Sequence, residues 1–271
     1  MTKRSAWLSG PYILWMALFT IIPLGVVVYY AFTTGDGQFT LANLARIGNY
    51  FPIFLRSVCM SLVAAMICLL IGYPVAHFIA GRGPMGQRFL YMLIMLPMCM
   101  SFLLRTLAWV ALLEDTGIIN GILRFFGLAP AGLIRNTWAV VLGMVYNYLP
   151  YMILPLYTVL MKIDHRLIEA AQDLGCTELQ VFQKVTLPLS IPGIVSGFTM
   201  VFVPAISTFY ISQKLGSTGT TLIGDVIESQ FKAAYNFNLG AAMSLVLMVI
   251  VFLCSFVMNR FTDDEGEVIA L

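Results

Sequence analysis

TWAVVLGMVYNYLPYMILPLYTVLMKIDHRLIEAAQDLGCTELQVFQKVTLPLSIPG, residues 137–193, joins an apolar run to an amphipathic connection. The run, about Thr137 to Met161, holds no acidic residue and is long enough to cross roughly 30 Å of hydrocarbon as a helix. The connection after it is charged and periodic. Asp164 can cap a short helix on which Leu167, Ile168, Ala171 and Leu174 recur at helical spacing, with Glu169 and Asp173 on the polar side. Gly175 supplies the left-handed conformation that commonly ends a helix. Thr177, with Gln180 three residues later, reads as a capping box. The helix it opens has a stripe of Leu179, Phe182 and Val185, and Pro188 is expected to stop it. The local reading is a membrane span followed by a helix-turn-helix that lies flat at one membrane surface.

Working outward, comparable apolar runs cover about residues 7–32, 58–80, 89–113, 191–212 and 239–259, which with 137–161 makes six spans. Barrel strands would be about ten residues long and alternating, so these continuous runs predict helices. The expected fold is an all-α transmembrane bundle occupying residues 1–271 as one domain. Composition agrees, since 60% of the 271 residues are hydrophobic and 10% charged, too few to hydrate the surface of a soluble domain. The run after Lys3 and Arg4 is too long and too aromatic for a cleaved signal peptide. Small residues at four-residue spacing (Gly72, Ala76 and Ala80; Gly193 and Gly197; Gly240 and Ser244) suit close helix packing.

Basic residues beside the spans set the expected orientation. With the amino terminus inside, Lys3, Arg4, Arg82, Arg88, Lys162, Arg166, Lys184 and Arg260 lie inside. Arg46, Arg56, Arg124, Arg135, Lys214 and Lys232 lie outside, and both termini are cytoplasmic. The amphipathic connection, residues 162–190, then faces the cytoplasm.

Within that connection, Glu169-Ala170-Ala171, then Gly175, then Val185-Thr186-Leu187-Pro188 resemble the EAA loop of bacterial ABC importer permeases. Valine at 185 stands where isoleucine is usual. The resemblance implies a type I importer permease in which Glu169, Ala170, Ala171, Gly175, Leu187 and Pro188 couple the bundle to a separate ATPase. It implies two ATPase subunits, a second homologous permease paired as a heterodimer, and an extracytoplasmic solute-binding protein, all at a bacterial inner membrane. Further patches are similar to polyamine (spermidine/putrescine) importer permeases of the PotB type. These are Leu70 to Ala76, Phe102 to Thr106 with Gly117 to Asn120, and Leu222 to Ile227.

Several chemistries find no support. No glycine precedes a lysine, so there is no phosphate-binding GxxxxGK[ST] loop; ATP and magnesium are expected on the partner ATPase, and no cofactor on this chain. Neither HExxH nor GxSxG occurs, and His77 and His165 are far apart. The five cysteines (Cys59, Cys68, Cys99, Cys176 and Cys254) form no CxxC pair and read as packing residues, so no metal site is expected. A formal charge of +2 does not suggest nucleic acid as a partner; membrane lipid is the expected surroundings. An ion-coupled secondary transporter or channel is the alternative, but its mid-membrane acids are missing.

A polycation needs carboxylates to offset lost hydration and aromatic faces that attract ammonium groups. The spans hold no obvious acid. The expected pathway residues are therefore Glu114 and Asp115 after span three, Asp225 and Glu228 before span six, and the aromatics Trp109, Tyr148 and Tyr210. Arg105 is the conspicuous charge inside a span; its side chain is expected to reach the outer interface in a structural or gating role.

Overall fold

The computed structural model describes residue 12 and residues 14–269, with the backbone alone at 259 and 261–269. Lys3, Arg4 and residues 7–11 and 13 of the predicted first span lie outside the described residues. In chain order the helices are α1 (Ile22–Ala31), entered through a π-turn at Ala17–Ile21; α2 (Ala42–Ile47); α3 (Phe51–Ala80); and α4 (Pro84–Met95). Next come α5 (Phe102–Leu113), α6 (Ile118–Phe125), α7 (Thr137–Leu160), α8 (His165–Asp173) and α9 (Glu178–Val181). The chain continues through α10 (Leu187–Ile206), α11 (Tyr210–Leu215), α12 (Ile223–Lys232) and α13 (Phe237–Ile269). Among the described residues the only extended pairing is one bridge between Thr33 and Phe39. Among the described residues five helical stretches are long and apolar enough to cross a membrane, and a sixth arises when Pro84–Cys99 and Phe102–Phe125 are taken together.

Three predicted spans differ from the structure for identifiable reasons. The third, expected as continuous over 89–113, is two helices bent by 87°. Pro97 lies in a short 3₁₀ turn, and Met100 and Ser101 are extended (ψ 147° and 132°) before α5 begins afresh. The fifth, expected over 191–212, begins earlier and is interrupted. Pro188 does not stop a helix but sits in the first turn of α10, where a missing amide costs nothing. A π-turn at Phe182–Thr186 carries α9 into α10, so an apolar helix runs from Glu178 to Ile206. The sixth continues past 259 through the acidic segment to Ile269.

The chain divides into two compact units, residues 1–54 with 226–252, and residues 55–225 with 253–271. In the first, amide side chains organise the turn after α1. Asn43 donates to the carbonyls of Ala31 (3.2 Å) and Thr33 (2.9 Å), and Asn238 donates to Thr33 (2.6 Å) and Tyr30 (3.1 Å). Gly240 lets the first turn of α13 close on the Phe231 ring, where a β-carbon would stand 3.0 Å away.

The second unit is built on the antiparallel pair α7–α10. A methyl at Gly197 would lie 2.9 Å from Met152 Sδ and 3.0 Å from the Met152 carbonyl; one at Gly193 would meet Val159 at 3.0 Å. On the other side of Met152, Gly72 of α3 leaves only 3.1 Å for a methyl. Met152, Leu156, Val201 and Ala205 are fully buried along this seam. Between helices in lipid, where burial from water drives little, such close backbone approach is a main source of cohesion. Pro150 and Pro155 sit inside α7 at no break in the helix. Gly197→Val is expected to destabilise the purified protein by about 1–3 kcal/mol. A thermal unfolding midpoint unchanged from wild type would contradict this, and Gly121→Ala, which adds a methyl into open space, serves as control.

Candidate functional site

Two regions of the second unit combine exposed or irregular backbone with specific side chains. The first is the helix-turn-helix. Asp164 caps α8 by accepting from the Arg166 amide at 3.0 Å. The helix ends in a Schellman turn: Gly175, at φ +83°, donates to the Gln172 carbonyl (2.8 Å) and Cys176 to Ala171 (3.1 Å). Thr177 and Gln180 form the reciprocal capping box of α9, at 3.4 Å and 2.9 Å. These bonds hold residues 164–181 as a rigid double bend.

The two faces of α8 divide the apolar residues that the sequence groups together. Ile168 and Ala171 are half-buried, whereas Leu167, Glu169, Ala170 and Leu174 are exposed, Leu174 by 86%. Leu179 on α9 is 64% exposed, and Val181, not Leu179, is the buried anchor. Glu169 lies 4.0 Å from His165, an exposed pair of little energetic weight. Leu187 and Pro188 stand apart from this face, at the root of α10. There the Ser190 hydroxyl donates to the Leu187 carbonyl (2.8 Å) and lies 2.9 Å from Tyr73 Oη. Phe182 packs edge-on against the rings of Tyr73 (5.6 Å) and His77 (6.2 Å), tying the connection to α3. A cavity of about 540 Å³ lies behind α8, with His77, His165, Gln172 and Glu178 among its lining.

The second region is the interruption between α10 and α11. Ser207 turns its hydroxyl back to the carbonyls of Val203 (3.2 Å) and Pro204 (3.3 Å), which competes with continuation of the helix. The Tyr148 hydroxyl donates to Pro204 at 3.3 Å, which places the interruption level with the middle of α7, roughly 16 Å along that helix from Thr137. Beyond it, Ile211 and Leu215 of α11 pack into the space left by Gly143. A cleft of about 300 Å³ opens here, lined by Phe102, Leu103, Tyr148 and residues 207–210. The Phe102 ring lies 6.5 Å from Tyr148 and 6.3 Å from Tyr210.

On the other side of α11 a polar cleft of about 490 Å³ is lined by Arg135, Ser212, Gln213, Ser217, Thr221 and Asp225, among others. One Asp225 oxygen accepts from Ser212 Oγ (2.9 Å) and the other from the Leu222 amide (2.8 Å). Gly224 presses its α-carbon on the interruption; a methyl there would sit 2.5 Å from the Thr208 carbonyl. Arg135 holds a left-handed φ of +61°, and its amide donates to Leu215 at 2.9 Å.

The expected pathway residues therefore do not form one cluster. Tyr148 and Tyr210 share the aromatic cleft, and Asp225 lines the polar one. Glu114 and Asp115 are exposed on the turn after α5, and Trp109 stacks edge-on with Tyr146 at 5.3 Å. Glu228, in the first unit, pairs with Lys232 at 2.6 Å. Arg105 departs from expectation. The bend at residues 100–101 starts α5 afresh, and Arg105 is buried, with no hydrogen-bond partner for Nε or Nη1 among the described residues. Sequence reasoning missed Phe102 and the interruption. The available signal was Ser207-Thr208 just after Pro204, residue types that bond back to the backbone following one that lacks an amide.

Residues 69–263 match the family of the binding-protein-dependent transport system inner membrane component. Over 256 residues the chain is 38% identical to the spermidine/putrescine transport system permease protein PotB of Haemophilus influenzae, covering 91% of this chain and 90% of that one. It is 35% identical over 256 residues to the PotB of Escherichia coli, covering 91% and 93%. In fold it is similar to a chain of a bacterial ABC transporter involved in alginate import, with TM-score 0.77, 18% identity, and 97% and 96% coverage. Removing the cap with Thr177→Ala is expected to cost about 1 kcal/mol locally. Amide exchange over residues 178–186 should then quicken roughly fivefold; an unchanged rate would show that the box does not hold the bend.

Proposed function

This chain belongs to the family of binding-protein-dependent transport system inner membrane components, and we propose that it is the polyamine-conducting permease subunit of an ATP-driven importer. The observation that carries the substrate class is the similarity to PotB permeases along nine-tenths of the chain. Ion-coupled carriage, the rival reading, has no comparable support.

In this reading the amino terminus and the connection 162–190 are cytoplasmic, and the chain pairs with a second, homologous permease as a heterodimer. Two ATPase subunits bind ATP and magnesium, and a solute-binding protein delivers cargo from outside. Glu169, Ala170, Ala171 and Gly175 form the part that docks on an ATPase. Ala170 lets α8 sit deep in a groove, Leu167 and Leu174 offer apolar contact, and Glu169 faces a basic partner residue. The exposed apolar side chains on α8 support this, since among the described residues nothing in the unit covers that face. Leu187 and Pro188 pass the movement on to α10.

The proposed substrate path leads from the polar cleft at Asp225, past α11, to the aromatic cleft at Tyr148 and Tyr210. Glu114 and Asp115 add negative potential along the approach, which attracts a polycation before contact, and Glu228 adds its charge to the first unit. Trp109 supports that helix end through Tyr146.

The test is uptake of labelled spermidine and putrescine by the complete complex in proteoliposomes, with solute-binding protein outside and ATP and magnesium at the ATPase. Uptake that persists without ATP would overturn the reading. Glu169→Arg and Gly175→Pro are expected to lower ATP-driven uptake at least tenfold, a loss of about 1.4 kcal/mol of coupling. Unchanged uptake together with unchanged complex assembly would remove the docking assignment. Asp225→Asn is expected to reduce the uptake rate severalfold, and equal rates would take Asp225 off the path.

A further inference from the structure

Resting on the polyamine reading, we propose that the cleft at the α10–α11 interruption is an ammonium station without a carboxylate. In it the rings of Phe102, Tyr148 and Tyr210 hold one amine of the passing substrate. Arg105 keeps that hold weak.

Two separate observations converge on this cleft. The first is its depth. Tyr148 stands at the middle of a 24-residue span and bonds to Pro204, so the irregular residues 207–209 lie well inside the bundle. Non-helical backbone at that depth is tolerated where it is buried in protein or lines a cavity, and residues 207–209 line a cleft.

The second is the ring cluster. Phe102 lies within 6.5 Å of Tyr148 and 6.3 Å of Tyr210, and all three rings line the cleft. Aromatic faces attract ammonium groups while leaving the methylene stem of a polyamine in apolar contact. The cleft's volume of about 300 Å³ is at the small end for ligand sites, which suits one amine with its neighbouring methylenes.

Arg105 opposes the hold. It is three residues from Phe102 on α5, hence on a neighbouring position of the same face. A transport station must release what it binds, and a fixed like charge nearby shortens residence. Among the described residues its Nε and Nη1 are buried with no hydrogen-bond partner, which is costly, so its position asks for a use.

The experiment measures labelled spermidine taken up per ATP hydrolysed by the complete complex in proteoliposomes. Phe102→Leu, which keeps apolar volume but removes the ring, is expected to lower this ratio about 5- to 30-fold, and Phe102→Trp to restore most of it. A wild-type ratio in Phe102→Leu overturns the proposal. If Phe102→Leu does not assemble, Phe102→Trp is compared with the same variant carrying tetrafluorotryptophan, of nearly identical shape and a weakened ring face. A fall on fluorination supports the station and equality overturns it. Arg105→Gln is expected to raise at least fivefold the spermidine retained by the washed, nucleotide-free complex; no increase removes Arg105 from the scheme. A wild-type complex that hydrolyses ATP without taking up spermidine overturns the polyamine reading itself, a different result from uptake indifferent to Phe102.

Discussion

The close approach of α10 to α7 is the constraint on which the rest of the second unit depends. Gly193 and Gly197 bring the α10 backbone onto Met152, Pro155 and Val159 with no room for a methyl group. Contact that tight leaves little freedom for sliding, because the facing surfaces are shaped residue by residue and the interior is nearly incompressible. One helix thereby carries the amphipathic connection at one end and the interruption at the other. Displacing its root at Leu187 must rock the helix against α7 or carry α7 along. Either movement changes the cleft beside Tyr148, because Tyr148 is bonded to the last turn of that same helix.

The connection to α8 is equally direct. The chain passes from α9 into α10 without a loop, through a π-turn at Phe182–Thr186. Such turns are rare and often mark functional positions, since a helix with one widened turn can flex where a regular helix is stiff. Phe182 lies in this turn and packs on Tyr73, while Tyr73 reaches Ser190 further along the chain. The π-turn is thus braced on both sides by α3, and Gly72, next to Tyr73, meets Met152. Force applied at α8 reaches three spans through four side chains, with Val181 and Thr186 buried between them.

Much of this is legible in the sequence because its causes are local. Asp164, Gly175 and the Thr177–Gln180 pair each satisfy orphan backbone groups within a few residues, and each does so in the structure. Span four is continuous apolar sequence, and α7 occupies Thr137–Leu160. The departures arise where composition is silent about geometry. Residues 96–101 are as apolar as their neighbours, so hydropathy runs through a right-angle bend. Pro188 is ambiguous by nature: proline both ends helices and begins them, and only the π-turn before it decides. Arg105 is invisible as a buried group because its burial depends on that bend. Phe102 gains its meaning from Tyr148 and Tyr210, so that three different helices meet at one cleft.

The absence of acids from the spans, which at sequence level counts against a path for a polycation, takes on a different sense in this fold. A carboxylate in the bundle would itself have to be desolvated in every state that leaves it empty, at a cost of several kcal/mol. It would also hold an amine tightly enough to slow release. Ring faces are neutral, so an empty cleft carries no such penalty, and their attraction to a cation is modest. Asp225, held by Ser212 and Leu222, stands at a separate polar cleft, apart from the rings. On the proposed path, charge recruits the substrate where water can still compensate it, and ring faces carry it where water cannot.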